Sequence, residues 1–151
     1  MKNRQPIQVV ALLAGAAFLL VGVLGFVPGI TSGLSDLSFA GRSSEAHLLG
    51  LFQISVLHNA VHLLFGVVGL AAARTAGAAR GFLLGAGAVY LALTVYGFLI
   101  NSDSPANFVP VNTADNLLHL GLGLGMVAAG LVLARSGTRP DSTARHTAVR
   151  R

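Results

Sequence analysis

The chain has no cysteine among its 151 residues. That one absence removes disulfide frameworks, cysteine-ligated iron–sulfur clusters, thiolate nucleophiles and covalent CxxCH haem attachment. Charge is scarce too: 10% of residues are charged, and only five of them are acidic. With 54% hydrophobic residues and a mean hydropathy of +0.74, this composition lies outside the soluble range and points to lipid as solvent. The net charge of +5 does not indicate nucleic acid. The basic residues sit at the chain ends and between apolar runs, without the interleaved aromatics of a nucleic-acid surface.

What is present is long apolar runs. Ile7 to Val27, Phe52 to Ala73, Gly81 to Ile100 and Leu117 to Ala134 each have about the length an α-helix needs to cross a bilayer. With their flanking turns they predict an all-α integral membrane fold, an antiparallel four-helix bundle spanning at 7–27, 48–73, 81–100 and 114–134. A basic, disordered tail over 136–151 follows a membrane domain over 1–135. The first run exceeds a signal peptide's usual apolar length and has no A-x-A site after it, so it reads as a retained helix.

If the spans alternate, Lys2, Arg4, Arg74, Arg80, Arg135 and the tail arginines share one side and only Arg42 lies opposite. The positive-inside rule makes that side cytoplasmic and places both termini there. The short inner loop "RTAGAAR" makes spans two and three antiparallel neighbours. The outer loop "PGITSGLSDLSFAGRSSE" opens on a Pro28-Gly29 turn, with Ser44 and Glu45 as a helix start before span two. The second outer loop, with Pro105 and Pro110, predicts irregular structure.

The spans also resemble one another. Asn59-Ala-Val-His62-Leu-Leu-Phe-Gly66 and Asn116-Leu-Leu-His119-Leu-Gly-Leu-Gly123 both read N-x-x-H-L-x-x-G. Gly15, Phe18, Leu19, Gly25 and Phe26 of span one match Gly87, Tyr90, Leu91, Gly97 and Phe98 of span three. The pattern predicts a duplicated helical hairpin, its halves related by an axis along the membrane normal. Nineteen glycines read as packing devices. Gly66 lies in the repeat, while Gly81 with Gly85, and Gly121 with Gly125, form small ridges at a spacing of four. "GLGLG" follows no strand, which rules out a phosphate cradle.

Polar groups inside spans are functional candidates by default. His58 and His62 share a helical face beside Asn59. Counted back from Arg74 and Arg135, His58 and His119 lie at one depth, whereas the repeat pairs His62 with His119; the two rulers differ by about 6 Å of helix. Two facing imidazoles suit a b-type haem, and three suit a zinc or copper ion. A neutral-pH titrating ring also suits a proton relay or a quinone. Against these stands interhelical hydrogen bonding in a polar network of Asn59, Asn116, Tyr90, Thr94 and Asp115 with the histidines. His47, eleven residues before His58, joins its face if the helix extends outward. Asn112 or Thr113 caps span four, and Asp115 meets its dipole. No Ser-His constellation has an orienting acid, and HNAVH lacks a metalloprotease glutamate, so no catalytic set is assigned.

The run "LLGLFQISVLHNAVHLLFGVVGLAAAR", then "VYGF" and "ADNLLHLGLGLGMVAAGL", resembles the domain of unknown function 4383 family, small four-span membrane proteins of high-GC bacteria. The resemblance implies the topology and a bacterial inner-membrane location; it assigns no activity, ligand or catalytic residue. Together these readings describe a non-enzymatic structural or interaction module in the bilayer, associating with itself or with a larger membrane complex. The alternative is a small electron-transfer protein holding haem b or a quinone on His119 with His58 or His62.

Overall fold

The computed structural model describes residues 4–41, 43–100, 104 and 106–133. Lys2, Arg42, Pro105, Arg135 and the tail over 136–151 lie outside the described residues. Among the described residues there are four helices: α1 (Pro6–Leu24), α2 (Val56–Ala72), α3 (Ala76–Leu99) and α4 (Thr113–Val132). α1, α3 and α4 are long and apolar enough to cross a membrane, whereas α2, with 17 residues, is shorter. Short strands β1 (Thr31–Ser32), β2 (His47–Leu48) and β3 (Phe52–Gln53) lie between α1 and α2.

Local chemistry sets the helix starts. Pro6 occupies the first turn of α1, where its missing N–H is no loss, and Gln8 Oε1 accepts the Gln5 N–H at 3.0 Å. Ser55 Oγ accepts the His58 N–H at 3.1 Å, so α2 starts at Val56 and not at position 48. Ser44, expected to start that helix, instead donates to the Ile54 carbonyl at 2.6 Å and accepts the Ser38 N–H at 3.2 Å. Thr75 Oγ1 accepts the Ala78 N–H, which starts α3 at Ala76 and cuts the expected inner loop to a few residues. Asn112 Oδ1 accepts the Asp115 N–H and Asp115 Oδ2 accepts the Asn112 N–H, both at 3.0 Å, a reciprocal cap on α4.

The outer segment before α2 is a small antiparallel sheet in the order β1-β2-β3, pairing Thr31 with Leu48 and Leu48 with Phe52. His47 lies in β2, so it shares no helical face with His58. Ala46, Leu48 and Ile54 form a core of their own under this sheet, packed on Val21 and Leu24 of α1. The β2–β3 turn carries Gly50 at φ 70° and also Leu49 at φ 55°. A left-handed leucine is costly, and it turns that side chain outward at 67% exposure.

α1 pairs closely with α2 and α3 with α4, while contacts between the two pairs are sparser. Both pairs are antiparallel. Gln8 donates to the Ala73 and Arg74 carbonyls at one end of the first, and Gly25 meets Asn59 at the other. In the second, Arg80 Nε donates to the Gly130 carbonyl at 3.3 Å and Gly97 meets Asn116. Arg4, Arg74 and Arg80 thus share one end, and Asp36, Glu45 and Asp115 lie toward the other. Phe18, Phe82, Leu83, Ala86, Tyr90 and Met126 form the core between the pairs. Leu13, Leu20, Val67, Val95, Leu124 and Val132 are exposed, an apolar exterior suited to lipid.

Glycine sets the close approaches, though not at the ridges read from the sequence. A Cβ on Gly15 would lie 2.7 Å from the Leu70 nitrogen and 3.0 Å from the Gly66 carbonyl oxygen, so two helix backbones touch there. Gly87 meets the Gly123 carbonyl in the same manner at 3.0 Å. Gly81, Gly85, Gly121 and Gly125 meet nothing within 4 Å among the described residues. A spacing of four places residues on one face, but here no helix closes on it: Gly81 and Gly85 floor an open groove beside Leu64 and Val68 of α2.

Candidate functional site

His58, His62 and His119 gather around Tyr90, which α3 carries into the core at 4% exposure. The Tyr90 hydroxyl lies 3.0 Å from His62 Nε2, and His62 Nδ1 lies 3.0 Å from the His58 carbonyl oxygen. A carbonyl only accepts, so Nδ1 carries the proton; in the neutral ring Nε2 is then the acceptor and Tyr90 donates to it. His62 is therefore fully satisfied. His58 stacks on His62 one turn earlier, with centroids 4.2 Å apart and planes 13° apart. His119 approaches the Tyr90 ring edge-on at 4.9 Å, and Phe18 stacks on the same ring at 5.4 Å.

Four of the five expected network residues make no hydrogen bond to a histidine among the described residues. Thr94 Oγ1 donates to the Tyr90 carbonyl of its own helix at 2.9 Å and meets no histidine. Asn59 fills the niche left by Gly25, and Asn116 the niche left by Gly97. Neither Asn59 side-chain polar atom, nor Asn116 Oδ1, finds a hydrogen-bond partner among the described residues. Asp115 stands at the outer edge, 2% exposed; its Oδ2 accepts the Gln53 N–H at 3.1 Å in addition to the Asn112 N–H, which ties β3 to α4.

His58 and His119 differ from His62. His119 is 3% exposed; among the described residues its buried Nδ1 has no partner and no ring nitrogen of His58 is hydrogen-bonded. A desolvated polar atom left unpaired costs about 1–3 kcal/mol, so such atoms are rare unless they serve a purpose. Both rings border two cavities. One, of about 180 Å³, lies between α1 and α4 under the outer sheet, with Phe18, Phe52, Leu48 and Met126 in its walls and Asp115 and Tyr90 among its polar groups. The other, of about 210 Å³, lies between α2 and α3 under Phe108 and Pro110. The three histidines form the partition between them.

This geometry limits the chemistry. Among the described residues no three His, Asp or Glu side chains are grouped to hold a metal ion. Tyr90 engages His62 Nε2, so of the histidine pairs considered for a haem only His119 with His58 keeps ring nitrogens open, and the cavity of about 180 Å³ is smaller than the roughly 300–1,000 Å³ that encloses drug-sized ligands. What remains is a small apolar chamber with unpaired imidazole donors and acceptors on its inner wall. The outer sheet and Phe18 were not anticipated as part of it. For Phe18 a signal existed, because the repeat aligns it with Tyr90.

A family model described as domain of unknown function (DUF4383) matches residues 8–132, from the first turn of α1 to the end of α4. No curated protein and no solved structure matches the chain.

Proposed function

We propose, from the premise that the chain belongs to the DUF4383 family, that it is a four-span protein of the bacterial inner membrane with both termini cytoplasmic. In this reading it is a non-enzymatic interaction module built from two like hairpins. α2 is the short span: 17 residues reach about 26 Å, and β3 with Ser55 on one side and the Ala73–Thr75 connection on the other complete the crossing. Grouping of Arg4, Arg74 and Arg80 at one end supports a cytoplasmic face there. The duplication is supported by matched contacts. Gly25 against Asn59 corresponds to Gly97 against Asn116, and Gly66 against Leu19 to Gly123 against Leu91. The edge-on pair Phe18–His62 corresponds to Tyr90–His119.

The observation that carries the interaction role is the outward glycine face of α3. Gly77, Gly81 and Gly85 meet nothing within 4 Å, and the last two floor a groove walled by Leu64, Val68 and Val89. Each glycine costs its helix about 1 kcal/mol relative to alanine. In a bilayer such a face is useful where another helix backbone comes close. The partner in this reading is a second copy of the chain. The absence of native cysteine allows a clean test. Val89→Cys should cross-link to dimer in membranes, and Gly81→Leu with Gly85→Leu should abolish that dimer while the circular dichroism melt is kept. A Val89→Cys protein that stays monomeric under oxidation, and by light scattering in mild detergent, refutes self-association. Reporter fusions at 75 and 104 test the topology, with only the latter expected outside.

A further inference from the structure

We propose that the chamber between α1 and α4 binds the ring of a lipophilic quinone or quinol, with His119 and His58 as hydrogen-bonding groups. The argument begins with unpaired polarity. His119 Nδ1 is buried without a partner, and the His58 ring makes no hydrogen bond among the described residues. A neutral imidazole offers one N–H and one lone pair, so it can donate to a quinone carbonyl and accept from a quinol hydroxyl. Tyr90, already donating to His62, keeps acceptor capacity, and Asp115 has one oxygen free of the two N–H groups that reach the other.

The remaining walls select for a flat, apolar body. Phe18 and Tyr90 stack with each other, and Phe52 closes the outer side. A cavity of about 180 Å³ accommodates a single substituted ring and little more. Any tail must leave it. Ala17, Leu118 and Leu122 border the chamber and are exposed, so the gap between α1 and α4, which touch each other sparsely, opens to the outside along the helix sides. If those helices span the bilayer, the tail lies in lipid and the ligand arrives from the membrane. A water-soluble metabolite would require more polar lining than this chamber has.

The proposal rests on the membrane reading only for the route of access, and it is independent of self-association. Binding is therefore measured on detergent-purified full-length protein with decylubiquinone as probe. The chain has two tyrosines, Tyr90 and Tyr96, and no tryptophan, so in a Tyr96→Phe background quenching of tyrosine emission reports on Tyr90. We expect saturable quenching that decylbenzene, with the same tail and no oxygens, does not compete away. His119→Ala should weaken binding about tenfold, the worth of one hydrogen bond to a desolvated group. Ala17→Phe, at the exposed rim, should abolish binding while leaving the thermal melt unchanged, and it decides the matter if His119→Ala does not fold. Non-saturating quenching, equal competition by decylbenzene, or wild-type affinity in a folded Ala17→Phe or His119→Ala protein would overturn the assignment.

Discussion

Replacing Tyr90 by phenylalanine isolates the bond on which the histidine cluster turns. The ring stays, so stacking on Phe18 at 5.4 Å and the edge contact with His119 at 4.9 Å are kept, and only the hydroxyl 3.0 Å from His62 Nε2 is lost. His62 cannot answer by shifting its proton, because Nδ1 is held to the His58 carbonyl. Nε2 then becomes a desolvated acceptor without a donor. Stranding such a group costs about 1–3 kcal/mol in soluble proteins, whereas interhelical hydrogen bonds in membranes average about 0.6 and reach about 1.7 kcal/mol. Because His62 also borders a cavity, the lower half of the range applies: about 1–1.5 kcal/mol, or a roughly five- to twelvefold shift in the folding equilibrium. The assay is reversible unfolding in mixed micelles followed by far-ultraviolet circular dichroism. In a His62→Leu background the same Tyr90→Phe change should cost at least about 0.5 kcal/mol less, the signature of a direct contact. A Tyr90→Phe protein as stable as the wild type, or a cost unchanged in the His62→Leu background, would refute the tautomer and pairing assigned here.

Other consequences can be checked in the same unfolding assay. Gly15→Ala forces a methyl group onto the Leu70 and Gly66 backbone and should destabilise by about 1–2 kcal/mol net of the helix-propensity gain, whereas Gly85→Ala, facing open space, should be neutral or stabilising in the monomer. Asp115→Ala removes the acceptor of two N–H groups and should cost about 1–3 kcal/mol, with hydrogen exchange rising at Gln53 as β3 detaches from α4. Ser44→Ala leaves the Ile54 carbonyl without that donor and should loosen the outer sheet, seen as faster proteolysis between β1 and α2 with the helical signal retained.

Much of the architecture is legible in the chain. Hydrophobic run length located four helices, because a backbone in lipid must satisfy its own hydrogen bonds and helices do so locally. The N-x-x-H-L-x-x-G spacing likewise picks out Asn59 and Asn116, each of which fills a niche left by a glycine. The boundary of α2 was less legible. Residues 48 to 55 are apolar enough to continue a span, but the pairing of Leu48 with Phe52 and the Ser55 cap take them into a sheet. Such pairing joins residues whose neighbourhood is not written in local periodicity.

Composition and spacing thus determined by themselves that the chain is helical and suited to a membrane, and where polar residues interrupt its apolar helices. Only tertiary structure decided which of those polar residues are satisfied. His58, His62 and His119 all border the same two cavities, yet packing gives Tyr90 to His62 and leaves the rings of the other two without a hydrogen bond among the described residues. It also turned the Gly81 and Gly85 ridge outward while burying Gly15 and Gly87. The physical reason is common to both. Helical periodicity defines faces, but which face meets a neighbour depends on how whole helices rotate and cross, and that is settled by the summed contacts of every residue between them.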